Sequence, residues 1–239
     1  TGLFVLNEGL FQQNYASMHF REESTGLVTS EIFKAINERG IGDTGNDMIV
    51  YGSKIYWVVN VSGQVEVFNK STARSIAQIP LHTSGNSKQP RSIVANGASV
   101  WVSSFDGTVV EIDTNSLSII SELQVGKNPE GIAVLNDHLF VANSGGLDAP
   151  NYDSTISVID LNTNNLTETV VVRVNPSKVI ASDNSIFCIS NGNYGSIPSL
   201  LQKINPITFT VEEELEIYPS DMKRKFLLLK NSTMKEMIY

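Results

Sequence analysis

Short runs rich in Val, Ile and aromatic residues recur along the chain, some alternating apolar with polar positions and some wholly apolar. Both patterns predict β-strands, the first half-buried and the second covered on both faces. Asn-Gly, Asp-Gly and Ser-Gly pairs lie between runs and suit hairpin turns that need positive φ. The runs are also ordered. NDMIVYGSKIYWVVN (46–60), PRSIVANGASVWVSS (90–104), PEGIAVLNDHLFVAN (129–143) and PSKVIASDNSIFCIS (176–190) align as four strand pairs. A third run follows each and ends at Asn69, Asp113, Asp160 or Asn205, at steps of 44, 47 and 45 residues. Three residues later stands Thr72, Ser116, Thr163 or Thr208. That spacing predicts a turn in which the Asp or Asn side chain accepts nearby backbone N–H groups. A fourth β-rich run, such as SIIS or TVVV, completes the unit. Four strands per ~40–45 residues is the period of a propeller blade, whereas a β-sandwich has no reason to repeat at a fixed step.

The repeat predicts an all-β fold, a single β-propeller domain over 1–239 built of four-stranded blades. Its blades are expected at 40–83, 84–126, 127–174 and 175–217, with a partial blade at 1–39. LFVLNEG (3–9) matches LFVANSG (139–145), so the chain enters partway through a blade whose innermost strand comes from elsewhere. SEIFKAINER (30–39) suits a strand or a short helix. At 218–239 the repeat degrades after YPSDM, and the net charge changes from −11 over 1–217 to +3 over 218–239. The expectation there is a truncation or an altered frame within a longer propeller, with a divergent last blade as the alternative.

Composition narrows the function classes. A net charge of −8 and a pI near 4.9 argue against nucleic acid, whose phosphates need a basic face. No apolar stretch is long enough for a transmembrane segment. The chain begins with Thr and is read as a mature or trimmed sequence. Cys188, the single cysteine, falls at a strand position and is expected to be a buried apolar residue.

The loops between second and third strands are very unequal. They take 4 steps from Asn60 to Gln64 and from Ser104 to Thr108, but 10 from Asn7 to Ser17, 12 from Asn143 to Thr155 and 10 from Ser190 to Leu200. Insertions concentrated in one loop class mark the working face of a repeat protein. Each long loop carries an Asn-Tyr pair: Asn14 with Tyr15, Asn151 with Tyr152, Asn193 with Tyr194. Tyrosine offers a flat apolar surface with a polar tip, and asparagine both donates and accepts hydrogen bonds. Asp47, Arg91, Glu130 and Ser177 are equivalent positions at the start of innermost strands and bring charge to the same face. Arg91 and Glu130 can equally pair with each other. Phe105 and Asp106 tip a short loop and reach the same rim, while Trp57 and Trp101 are expected in the core between blades.

Enzymatic readings have less to stand on. Glu8, Asp47, Glu130 and Asn143 could offer oxygens to Ca²⁺ at a channel mouth, as in a propeller hydrolase or lactonase, and Asp148 with Asp153 could wrap one in a loop. No His pair has metal-ligand spacing, and no Ser or Cys has an evident base. The expectation is therefore a binding module without a catalytic or metal site and without a cofactor.

GDTGNDMIVYGSKIYWVVN, NPEGIAVLNDHLFVANSGGL, PNYDSTISVID and SNGNYGSIPSLLQKIN, with the opening FVLNEG and NYAS, resemble the YncE-like surface propellers of Bacteroidetes over roughly 1–222. The resemblance implies seven blades, so a chain of 239 residues covers about five and looks truncated. It implies a lipid-anchored outer-membrane protein at the cell surface that captures cobalamin or a related corrinoid for a TonB-dependent receptor. Other members sit beside transporters of unknown cargo, so a surface propeller for another ligand or for a protein is the alternative.

Overall fold

The Val-, Ile- and aromatic-rich runs pair as antiparallel strands in this computed structural model, which describes residues 1–216. The expectations for 218–239 lie outside the described residues. The first sheet holds β1 (Gly2–Asn7), β2 (Ser17–Glu22) and the short β3 (Val28–Thr29), in that order. The ambiguous segment after it forms a helix, α1 (Ile32–Asn37). Its buried Phe33 meets Phe68 edge-on at 5.4 Å, which fixes the helix against the next sheet.

Four four-stranded sheets follow, each a simple meander. They are β4 (Gly45–Tyr51), β5 (Lys54–Val59), β6 (Gln64–Asn69), β7 (Ser75–Pro80); then, past a small hairpin of β8 (His82–Thr83) and β9 (Asn86–Ser87), β10 (Pro90–Asn96), β11 (Ser99–Ser104), β12 (Thr108–Asp113), β13 (Ile119–Gln124). The third comprises β14 (Pro129–Leu135), β15 (His138–Asn143), β16 (Thr155–Asp160) and β17 (Asn165–Val171). The fourth comprises β18 (Pro176–Ser182), β19 (Ser185–Ser190), β20 (Leu200–Ile204) and β21 (Val211–Glu216). The innermost strands β4, β10, β14 and β18 lie side by side in chain order. Strand β1 packs against β4 as β11 packs against β14 and β15 against β18, so the first sheet begins at a second-strand position. This is a β-propeller arrangement, as the repeat predicts.

The turn pattern holds at all four repeats. Asn69 Oδ1 accepts from the N–H of Ser71 and Thr72, and Asp113 Oδ1 from Asn115 and Ser116. Asp160 does so with Asn162 and Thr163, and Asn205 with Ile207 and Thr208. These bonds satisfy N–H groups that the strand ladders leave free.

The apolar residues segregate into four clusters, each shared by two neighbouring sheets. Trp57 is buried with Met18, Phe33 and Phe68 between the first and second sheets. Tyr56, Val67, Val100 and Ile112 fill the next interface, and Trp101, Leu139 and Val141 the one after it. Phe140, Val158, Ile186 and Cys188 fill the last. Close approach is built in as well: a Cβ on Gly131 would stand 2.8 Å from the backbone of Ser177 and Lys178, so β14 and β18 meet backbone to backbone there.

Tyr56 is fully buried and its hydroxyl has no partner among the described residues. Burial, with Asp113 and Tyr51 nearby, pushes its phenol from 10.0 up to about 12. An acid weakened by folding stabilises the fold fully below its unfolded pKa, and that stability is lost as pH rises through the folded one. The protein should therefore lose stability between about pH 10 and pH 12, with the buried Cys188 thiol contributing, because its pKa too is raised to about 12. Tyr56→Phe should flatten that loss and leave stability near neutrality unchanged or higher, since it deletes an unpaired hydroxyl. Denaturant melts at the two pH values check this, and a loss above about 1 kcal/mol at neutral pH would show that the hydroxyl is satisfied after all.

Candidate functional site

The second-to-third-strand loops and the connections between sheets share one face, and hydrogen bonds tie them together. Asp43, just before β4, accepts from the N–H of Gln12 and Asn14 in the β1–β2 loop, and its own N–H donates to Ser62 Oγ in the following sheet. Asn128, before β14, donates to the Phe105 carbonyl on one side and accepts from Leu147 N–H on the other. The Asn175 N–H bonds the Asp153 carbonyl, and its side-chain amide bonds that of Gly192. Each connection therefore holds the loop of the sheet before it and of the sheet after it. Sequence reading missed these residues. The signal is a polar residue a step or two before each innermost strand: Asp43, Lys88, Asn128 and Asn175.

Asp47, Arg91 and Glu130, three of the four candidates at the start of the innermost strands, form clasps between sheets. Asp47 accepts from its own neighbour Met48 N–H and from Ile93 N–H in the next sheet, at 2.8 and 2.9 Å. Its carboxyl is pushed above the ordinary carboxylate range by burial, which those two N–H groups, Lys178 and Arg91 oppose. Arg91 donates to Glu130 Oε1 at 2.8 Å and to Asn46 Oδ1 at 2.6 Å, and its guanidinium lies 4.4 Å from the Phe105 ring centre. The alternative of an Arg91–Glu130 pair is thus the one observed. Ser177 is turned to the Asn191 side chain. Lys88, buried, bonds both Asp106 and Glu122. Asp47, Arg91 and Glu130 thus bridge neighbouring sheets, Ser177 and Lys88 bond within or beside a single sheet, and the capacity of these groups is largely spent inside the protein.

The long loops divide in two. Tyr152 and Tyr194, from neighbouring sheets, meet edge-to-face with ring centres 6.2 Å apart, and Tyr194 remains 74% exposed. Tyr15 does not join them; it stands with Asn14 over a separate cavity beside α1. The Asn193 side chain accepts from the N–H of Gly195 and Ile197 and shapes its own loop. Asn151 bonds Asp148, whose carboxylate also takes Lys127 Nζ at 2.7 Å. That contact holds the Asp148 carboxyl below, and the Lys127 amine above, its ordinary range. Asp153 is occupied by Lys127 N–H, Ser154 N–H and the Thr155 hydroxyl. Beside these, Phe105, Asp106, Val125, Lys127, Leu147 and Asp153 line an open groove of about 550 Å³. Leu10, Phe11 and Leu147, on the tips of two of the long loops, are exposed apolar residues that sequence reading passed over.

Asp47 and Glu130 as Ca²⁺ ligands would have to leave these partners, and so would Asn143, which bonds Gly126 N–H, Thr155 and Ser157. Among the described residues no three His, Cys, Asp or Glu side chains cluster as a metal site, and no helix is long and apolar enough to cross a membrane. The Cys188 thiol, pushed up to about 12 mainly by burial, is un-ionised near neutrality and a poor nucleophile.

Comparison with solved structures returns 1399 similar chains, so the likeness identifies a widely used architecture and selects no function. Hydrazine synthase of Kuenenia stuttgartiensis superposes with a TM-score of 0.65 at 20% identity, over 73% of this chain and 49% of that one. At that identity the similarity speaks for the fold alone, and the matched part spans about half of that chain. No curated protein matches. A family model does match, over residues 1–224 and so nearly end to end. This chain belongs to the family described as Domain of unknown function (DUF5074).

Proposed function

We propose that the protein is a binding propeller whose loop face captures a broad, flat, amide-fringed ligand at the cell surface. The observation that carries this reading is the contact between Tyr152 and Tyr194, which joins two long loops into one exposed aromatic ledge. Such a ledge offers area at low entropic cost, and the adjoining groove adds Phe105, Leu147 and polar groups. The resemblance to YncE-like surface propellers supports cobalamin or a related corrinoid as the ligand, delivered to a TonB-dependent receptor by a lipid-anchored precursor. A corrinoid is a partly apolar disc bearing amides and suits this chemistry. The role is binding without catalysis. Leu10 and Phe11, each 67% exposed, favour a second reading in which the same face docks a protein.

Titration calorimetry with cyanocobalamin tests the proposal. Saturable heat is expected, and Tyr152→Ala should weaken binding by about 1–3 kcal/mol, the scale of a lost aromatic anchor. Tyr15→Ala should matter less, because Tyr15 stands apart from the ledge. Absence of heat at high ligand concentration would overturn the corrinoid reading. Unchanged affinity in a Tyr152→Ala/Tyr194→Ala variant would overturn the choice of ledge.

A further inference from the structure

The contact between Tyr152 and Tyr194 requires two loops from different sheets to stand in register, and the backbone is bent to achieve it. Tyr194 has a φ of 55°, in the left-handed region where a bulky side chain crowds its own backbone. Its neighbour Asn193 props that turn, its side-chain oxygen accepting from the N–H of Gly195 and Ile197. Strain of this kind persists only where surrounding contacts over-determine it, and it gathers at sites of function. Those contacts meet at one residue. Asn175, 2% exposed, lies in the link between the two sheets. Its N–H donates to the carbonyl of Asp153, next to Tyr152, at 2.8 Å. Its carbonyl accepts from Asn191 N–H at 2.8 Å, and its side-chain amide donates to the Gly192 carbonyl at 3.3 Å, both at the root of the Tyr194 loop.

Asn175 has a φ of 63°, and after glycine asparagine tolerates this region best. The equivalent residues Thr44, Gln89 and Asn128 are left-handed too. Each carbonyl accepts from the residue that follows its own sheet's second strand, Asn60, Phe105 or Ser144. Asn175 adds the bond to Asp153 in the preceding loop, so one buried residue ties the two loops of the ledge to each other. We infer that Asn175 is the positioning residue of the ledge: it holds both loops at the angle at which their rings meet and presents the aromatic surface preformed. This rests on the ledge being the binding surface proposed above. Asn175 is buried and touches no ligand; it acts through Tyr194 and Tyr152. A preformed surface binds more tightly than one ordered on binding, because no loop entropy is lost at that step.

Asn175→Gly separates positioning from folding. Glycine keeps the left-handed backbone and both backbone bonds, and removes the amide that reaches Gly192. Titration of the whole chain with cyanocobalamin should show about fivefold weaker binding in this variant, the scale of one lost hydrogen bond. In a Tyr194→Ala background the same change should weaken binding by less than about twofold, because the ring it positions is gone. Equal weakening in both backgrounds would assign Asn175 to general stability and overturn the proposal. A second readout needs no ligand. The nuclear Overhauser contact between the Tyr152 and Tyr194 rings should weaken or vanish in Asn175→Gly, and an unchanged contact would also overturn the proposal. If the unaltered chain gives no heat with cyanocobalamin, the corrinoid reading fails while the ring contact still decides the role of Asn175. Should Asn175→Gly fail to fold, amide exchange on the unaltered chain decides. The Asn175 and Asn191 N–H groups should then open together, with protection within about threefold of one another, and clearly unequal protection would sink the idea.

Discussion

Replacing Arg39 with alanine should destabilise the protein by about 3–5 kcal/mol, the cost of stranding one member of a buried ion pair. Glu66 is fully buried in β6 and accepts from Arg39 Nη2 at 2.9 Å and from Ser75 Oγ at 2.6 Å. Its second carboxylate oxygen already has no partner among the described residues. Without the guanidinium one hydroxyl is left to hold a carboxylate away from water. The reverse change is cheaper. Arg39 is partly exposed, so Glu66→Gln leaves it free to turn to solvent while the amide keeps Ser75 company. Denaturant melts of both variants check the asymmetry; a loss below about 1 kcal/mol for Arg39→Ala would mean that water already reaches Glu66.

Trp101→Ala should cost a similar amount, about 3–5 kcal/mol. The indole fills the layer between the β10–β13 and β14–β17 sheets, touching a cluster with Ile132, Leu139, Val141 and Ile159. Two rigid sheets held by their own ladders cannot collapse into the space it leaves, so most of the cavity would persist. Trp101→Phe should cost much less. Thermal and denaturant unfolding measure both, and near-equal effects would show that the layer relaxes.

The fold was legible because its determinants are local and repeated. Asn69, Asp113, Asp160 and Asn205 each build their turn from residues within three positions, so spacing alone reveals them. Strand alternation is local too. The α1 segment is ambiguous in sequence because six residues with one buried aromatic satisfy either period, and the contacts that hold the helix lie across the interface, Phe33 on Phe68 and Asn37 on Ala73 and Ser75. The candidate face was legible in its loop lengths but less so in its chemistry. Nothing in the residue types says that Asp47 spends its carboxylate on the Ile93 N–H, or that Arg91 lies on Phe105 between Asn46 and Glu130. Those contacts span from 14 to 46 positions. Tyr15, Tyr152 and Tyr194 looked alike in sequence, yet only the last two come from sheets placed to let their rings meet.

The sharing of every apolar layer between two sheets has a consequence for how the molecule comes apart. Among the described residues there is no central nucleus whose loss empties the whole; energy is stored in a row of seams, each shared by two neighbouring sheets. A sheet flanked on both sides must break two seams to open, and one flanked on a single side only one. Amide exchange should therefore be slow in the sheets on either side of Trp101, each of which shares an apolar layer with a neighbour on both faces, and the protection there should follow the seams and not depth from the surface.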